Sequence, residues 1–497
     1  MDSIRFRNYK CFDDTGEVSI KPLTFLLGAN SSGKSSFIEF FPLLKQSVGV
    51  RRNGLFLWYS NEVDFQDFSN TVKDGNGCME ISLKYDSFVD NSGKPVRQLK
   101  EYHLESEISL KDIGLEASMT VALRRDNYDY LEKLKISFLD NLILLDIEKN
   151  NVVSITINGR YFGFPEWEMK MSGSTTSFLP RVLFVTQWEK SKAYSPYPRF
   201  IDEQDFLGGA LDSEQKEMVF FKEVLYLKQN EYVKFFNRML GRDDIDFELL
   251  RDIYLLANLN DILELLNSRL SYEGAMMSYI KPLRVTTERY YRYQNYAVDE
   301  IDSDGKNLAM YFANLTDLEF EAFRNWTNTN FDFKIYISKH EGHIELKIGE
   351  DENSARNLVD VGFGYTQLLP IITIVWQSIH GTTRRNYYPR AMNGTKIIAI
   401  EQPELHLHPR VQASFAEMLA RVIGNLKPEN DIRFIIETHS ETIINTIGSL
   451  IQSSSLKKDK VNVVLFNAKQ EGLEKYIEES SFDDNGYLNK WPMGFFM

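Results

Sequence analysis

Cysteine is scarce in this 497-residue chain: Cys11 and Cys78 are the two thiols, and they form no C-x-x-C pair. So few thiols in so long a chain suit a reducing compartment, and a cytoplasmic location is expected. No apolar run approaches the length needed to cross a bilayer, and Met1-Asp2-Ser3-Ile4-Arg5 reads as the opening of a strand with no signal peptide. A soluble protein with no membrane partner follows as the expectation. No a/d heptad persists for three or four repeats, which excludes a long coiled coil, and there is no internal repeat or low-complexity tail. A basic surplus is also missing, since 57 Lys+Arg stand against 71 Asp+Glu for a formal charge of -14. Such a balance repels nucleic acid overall, and direct contact would need a local basic patch that sequence does not place.

What the chain does carry is organised around Gly28-Ala29-Asn30-Ser31-Ser32-Gly33-Lys34-Ser35, just after the apolar run Leu23-Thr24-Phe25-Leu26-Leu27. That run has the length of a buried strand, and residues 35–48 show apolar side chains at helical spacing. Glycines bracketing such a loop let its N–H groups turn inward into a concave anion site, and the helix adds its positive dipole end. Gly28, Asn30, Ser31, Ser32 and Gly33, with Lys34, Ser35 and Ser36 at the helix start, are therefore the phosphate-binding candidates. A polyphosphate fits that cradle, with Lys34 expected to reach its β- and γ-phosphates and Ser35 to ligand Mg²⁺.

The length exceeds a comfortable single core and implies two or three domains, or one domain with large insertions. Residues 4–7 and 17–20 read as strands around a polar-aromatic stretch. After the loop, Phe37, Ile38, Phe40, Phe41 and Leu44 share an inward helix face, and Pro42 predicts a kink because it lacks an N–H and crowds the carbonyl of Ile38. Alternating or β-branched segments at 79–85, 102–108 and 152–157, with turn residues between them, predict an antiparallel lobe. Leucines and phenylalanines at helical spacing over 213–270 predict a helical insertion, with Phe220, Phe221, Val224, Leu225 and Leu227 in its first part. Further strands are expected near 333–338 and 344–348, helices over 367–378 and 410–423, and buried strands over 397–400 and 433–436. Buried strands that empty polar groups at their carboxyl ends are the mark of a parallel sheet with a ligand crevice there, and the phosphate loop belongs to that sheet.

The strand before Glu401-Gln402-Pro403-Glu404 delivers a carboxylate beside the expected Mg²⁺ position, and Mg²⁺ needs only one or two carboxylates besides water. Glu401 is the expected metal-side acid. His439, at the end of the next strand, is placed to meet a γ-phosphate or position the attacking water. The turn Asp360-Val361-Gly362-Phe363-Gly364-Tyr365-Thr366-Gln367 is a second glycine turn at a helix start, readable as a capping turn or as an anion site. Its position before the Mg²⁺ strand favours the nucleotide role. His406-Leu407-His408 has the look of half a zinc site, but no cysteine or H-E-x-x-H spacing supports one.

This order of motifs resembles the ABC-type ATPases of the SMC, RecF and overcoming-lysogenization-defect group, and more closely the AAA-labelled bacterial ATPases of that group that serve in phage defence, as in Septu- and PARIS-like systems. Gly28–Ser35 matches Walker A, residues 362–367 the degenerate signature, 397–401 Walker B, 405–409 the D-loop region and His439 the switch histidine. Pro282-Leu283-Arg284, Glu288-Arg289-Tyr290-Tyr291 and the segments 486–488 and 491–496 extend the likeness. The implied fold is an α/β ABC-type P-loop head with an antiparallel β lobe and a helical insertion, divided as 1–200, 201–280 and 281–497. In such proteins two heads sandwich two ATP molecules between the Walker A of one and the signature of the other. A homodimer or higher oligomer through the ATP face is therefore implied. Gly362, Gly364 and Thr366 are candidates for the contact in trans, although the usual Ser-Gly-Gly order is absent. Position 402 holds glutamine where the family often has the catalytic glutamate, so slow hydrolysis is expected unless Glu404 substitutes.

The function implied is a nucleotide-gated switch controlling a partner nuclease. Two other classes compete. A chain that is itself the nuclease would want a Toprim-sized region after His439, and no carboxylate cluster is evident there beyond Asp483-Asp484. A DNA repair or chromosome-maintenance ATPase that binds DNA directly would want long coiled arms or a basic surface, and the sequence offers neither.

Overall fold

The computed structural model describes residues 1–73, 77–86, 115–123, 129–138, 140–148, 151–162, 167–172, 177–179, 181–186, 193–195, 252, 255–256, 259–284, 288–294, 298–380, 395–426, 430–468 and 475–492. They divide into two units, one formed by Met1, Ser47–Leu57 and Asp67–Ser271, the other by Asp2–Gln46, Trp58–Gln66 and Tyr272–Met497.

The second unit is built on a six-stranded sheet in the order Ser278–Ile280, Lys396–Glu401, Ile432–Glu437, Leu23–Gly28, Val461–Ala468 and Lys475–Ser480. All pairings but the last are parallel. The strands are short apolar runs because both faces are covered; Leu23–Gly28 is buried at every position. Its core joins Phe25, Leu27, Ile398, Ile400, Phe434 and Ile436 to residues of the helices Phe363–His380, Pro409–Gly424 and Glu441–Gln452. The α/β class expected from sequence is the one observed. Ser278–Ile280 is the edge strand of this sheet, paired with Ile398–Ile400.

Two of the expected N-terminal strands become three, Ser3–Tyr9, Phe12–Asp14 and Val18–Ser19, because Asn8 and Lys10 take positive φ and fold the polar-aromatic stretch into a hairpin. After the phosphate loop the helix is broken into Lys34–Ile38 and Phe40–Ser47, with Glu39 between them. This is the expected effect of Pro42, whose ring cannot follow the carbonyl of Ile38 in regular helix. Phe37, Ile38, Phe40, Phe41 and Leu44 are all buried, as their spacing predicts. A small antiparallel sheet pairs Lys334–His340 with His343–Gly349, and the latter with Tyr291–Arg292 and Arg356–Asn357.

The first unit holds the antiparallel lobe. Met79–Tyr85, Leu115–Leu123, Asp129–Phe138, Asn141–Glu148 and Asn151–Ile157 pair in succession, and Trp167–Ser172, Arg181–Thr186 and Ala193–Ser195 continue the sheet. The expected strand over 102–108 and the first part of the helical insertion, 213–250 with Phe220 to Leu227, lie outside the described residues. Of the insertion's second part, Leu259–Ala275 is a helix with Leu259, Leu263 and Leu266 buried. Asn260 ties it to the lobe by accepting from the N–H of Val182 (2.8 Å) and donating to that residue's carbonyl (2.9 Å). Among the described residues no helix is long and apolar enough to cross a membrane.

Candidate nucleotide site

The phosphate loop follows directly from the buried strand Leu23–Gly28, and its glycines are required by close approach. A Cβ on Gly28 would lie 2.5 Å from the carbonyl oxygen of Phe466 on the neighbouring strand. At Gly33, φ is 110° and a Cβ would meet the Phe12 ring at 2.6 Å and Cys11 Sγ at 2.8 Å. Ser31 is left-handed at φ 61°, so the backbone curls between the two glycines. Inside the curl, Ser32 Oγ is buried without a hydrogen-bond partner among the described residues. An unmet hydroxyl at the floor of a glycine loop suits a phosphate oxygen. The Lys34 ammonium donates to the carbonyls of Gly28 (3.0 Å) and Ala29 (2.8 Å), and burial lowers its pKa. Asn30 is exposed on the rim, where Lys475 Nζ donates to the carbonyl of Ser31 at 2.5 Å. Ser36 enters through its backbone, whose carbonyl accepts from Tyr9 OH at 3.0 Å.

Two strand ends carry carboxylates toward this loop. Glu437 ends the strand next to Leu23–Gly28, paired in register with Leu26, and Glu401 ends the strand beyond, paired with Glu437. Ser35 Oγ donates to Glu437 Oε2 at 3.0 Å. The sequence points to Glu401 as the acid beside Ser35, whereas the hydroxyl's partner here is Glu437. Glu401 instead accepts from Tyr279 OH at 2.6 Å, and burial pushes its pKa up to about 8 against the opposing effect of that hydrogen bond. Burial likewise raises the pKa of Glu437 and of Glu404. Glu404 uses both oxygens: Oε2 accepts from Thr438 Oγ1 and Oε1 from the N–H of His439, each at 2.7 Å. That pair of bonds fixes the start of the loop bearing His439, whose pKa is lowered by burial and by Lys34. Gln402 sits at φ 43° with its N–H donating to the carbonyl of Glu437 (2.8 Å). The buried Arg284 braces this turn, Nη2 donating to the carbonyls of Glu401 (2.8 Å) and Gln402 (3.3 Å).

The signature-like turn is packed on its own subunit more closely than sequence implies. Gly364 lies in the first turn of Phe363–His380, and a Cβ there would come within 2.9 Å of the carbonyl of His406. Thr366 is buried and its hydroxyl donates to the carbonyl of Phe363 (2.6 Å). Gly362, at φ 113°, has open space where a Cβ would be. Of the two histidines with a zinc-like look, His408 caps the helix Pro409–Gly424, its Nδ1 accepting from Arg410 N–H, and His406 meets the Phe363 ring edge-on at 4.7 Å.

Glu437, Tyr279, Arg284 and Lys475 complete a site that sequence alone does not assemble. Glu437 had a signal, a carboxylate closing an apolar strand as Glu401 does; Tyr279 and Lys475 reach the site only through sheet pairing. The donors suit ATP with Mg²⁺: hydroxyl and carboxylate oxygens are what the ion takes, and it needs few protein ligands when phosphates supply others. Among the described residues no three His, Cys, Asp or Glu converge to hold a metal by themselves.

A family model described as AAA ATPase domain matches residues 1–238 and 255–444. The chain belongs to this family. Outside the ATPase family model, Endonuclease GajA of Bacillus cereus (strain HuB5-5) is 29% identical over 158 residues, which are 31% of this chain and 19% of that protein. The chain thus aligns with about a fifth of that relative's length. Among solved structures, the SmcHead bound to the C-winged helix domain of ScpA aligns over 97% of this chain and 98% of its own at 9% identity and a TM-score of 0.40. The SMC head domain from Thermotoga maritima aligns over 96% and 97% at 8% identity and a TM-score of 0.34.

Proposed function

We propose that this chain binds ATP with Mg²⁺, hydrolyses it slowly, and acts as a nucleotide-gated switch that controls a partner nuclease in phage defence. The observation that carries the first part is the bond between Ser35 of the phosphate loop and the strand-end carboxylate of Glu437. Loop N–H groups and the Ser32 hydroxyl bind phosphate oxygens, and Lys34 exchanges the carbonyls of Gly28 and Ala29 for the β- and γ-phosphates. Ser35 and the acidic strand ends would hold Mg²⁺, which supplies charge neutralisation of the phosphate oxygens. His439 would stand beside the terminal phosphate as a hydrogen-bond donor. The Gln402 amide orients water but takes no proton from it.

The slow switch is supported by Gln402 and by the engagement of both Glu404 oxygens. The defence setting is supported by the partial likeness to an endonuclease. Calorimetric titration of ATP into wild type and Lys34→Ala tests the site: affinity should fall at least ~10-fold with the loss of charge-assisted bonds. Undiminished affinity in that variant would refute the assignment. Co-purification of a nuclease in ATP but not in ADP tests the switch.

A further inference from the structure

We infer that Glu437, which closes the strand beside the phosphate loop, is the carboxylate that acts with Ser35 on the metal side of the nucleotide, and that Glu401 stands behind it in an outer position. The inference rests on the ATP·Mg²⁺ reading above and names its ligand.

Sheet order ranks the two acids. Ile432–Glu437 is hydrogen-bonded directly to Leu23–Gly28, whereas Lys396–Glu401 is one strand further out. Strands lie ~4.8 Å apart, so the backbone of Glu401 is about 10 Å from the loop strand and that of Glu437 about half as far. The side chains follow the same ranking. Ser35 Oγ lies 3.0 Å from Glu437 Oε2, and because the hydroxyl donates its proton there, its lone pairs remain for a cation. Glu401 is drawn the other way, Oε1 holding the hydroxyl of Tyr279 at 2.6 Å from the strand on its far side. Pairing in register places both carboxylates on one face of the sheet, so Glu401 can reach the ion through one of the waters that Mg²⁺ keeps.

Mn²⁺ serves as the probe, with its affinity for the protein–ATP complex read by electron paramagnetic resonance in wild type, Glu437→Gln, Glu401→Gln and Ser35→Ala. Loss of an outer partner costs ~10–100-fold in metal affinity, so Glu437→Gln should exceed that range and weaken Mn²⁺ at least tenfold more than Glu401→Gln does. Ser35→Ala should fall with Glu437→Gln. The glutamine keeps an acceptor for Ser35, and ATP affinity in EDTA, expected within threefold of wild type, reports that the variant is folded. If it does not fold, Glu437→Asp and Glu401→Asp are compared, and the former should lose more Mn²⁺ affinity. Equal losses, or a larger loss at Glu401, would overturn the inference while leaving ATP binding in place. Failure of wild type to bind ATP at all would instead remove the reading on which it rests.

Discussion

In the ATPase reading proposed above, Gln402 takes the place of a general base, and its amide cannot accept a proton. Its left-handed backbone, uncommon for a residue other than glycine, asparagine or aspartate, is clamped by Arg284 on one side and the carbonyl of Glu437 on the other. Glu404, the next acid along the chain after Glu401, already gives both oxygens to Thr438 and His439. Single-turnover hydrolysis by wild type should therefore be slow, and Gln402→Glu should raise it by up to ~10²–10⁴-fold, the usual contribution of a base. Glu404→Gln should cost far less than that factor. A fast wild type disabled by Glu404→Gln would make Glu404 the base after all.

At the scale of elements, the helix after the phosphate loop is anchored by a charge triad. Lys45 Nζ reaches Glu62 at 2.8 Å and Glu300 at 2.7 Å, joining two loops to the helix Phe40–Ser47. Burial would lower the pKa of Lys45, but the two glutamates outweigh it and hold the value up; burial would raise that of Glu62, but Lys45 outweighs it and holds the value down. The signs give a window. The Lys45 contribution is full below its ordinary value of 10.5 and is lost as pH rises through the raised one. The Glu62 contribution is present above 4.5 and is lost as pH falls through the depressed one. Lys45→Met leaves two half-buried carboxylates facing each other and should cost on the order of 3 kcal/mol in chemical denaturation. The deficit should be constant near neutral pH and shrink at both extremes; a deficit that grows outside this window would contradict the triad's role.

The whole molecule is proposed to work as a pair, and the surface beside the signature-like turn supports this. Val359 and Phe363 are 42% and 41% exposed, and Leu283 and Tyr290 are exposed further. Arg289 forms a two-pronged pair with Asp360 there, and Asn357 donates to the carbonyl of Arg289, which ties the segment bearing Tyr290 to the start of the turn. Gly364 is a poor probe of it because a side chain there strikes the carbonyl of His406 within its own subunit. Val359→Glu is the cleaner one. Light scattering with ATP should show a dimer for wild type and a monomer for Val359→Glu, with ATP affinity unchanged within threefold; an ATP-bound wild type that stays monomeric would exclude the sandwich. The pure protein should not cut DNA, and metal-dependent cleavage lost on changing residues outside the ATP site would refute a separate nuclease.

The glycine loop, the break at Pro42 and the buried strands were all legible in the chain, because each depends on residue type and spacing within a few neighbours. Glycine at 28 and 33 and the apolar run before them state a loop and its strand without reference to anything distant. The identity of the acid beside Ser35 was not legible, since the two residues are 402 positions apart and meet only because the sheet sets Ile432–Glu437 between the loop strand and Lys396–Glu401. Tyr279 reaches Glu401 by the same route, across 122 positions. Glu401 and Glu437 both close apolar strands, so the pattern of the chain ranks them equally. Only strand order, set by tertiary packing of the sheet and not by any local propensity, separates the carboxylate that touches the loop from the one behind it.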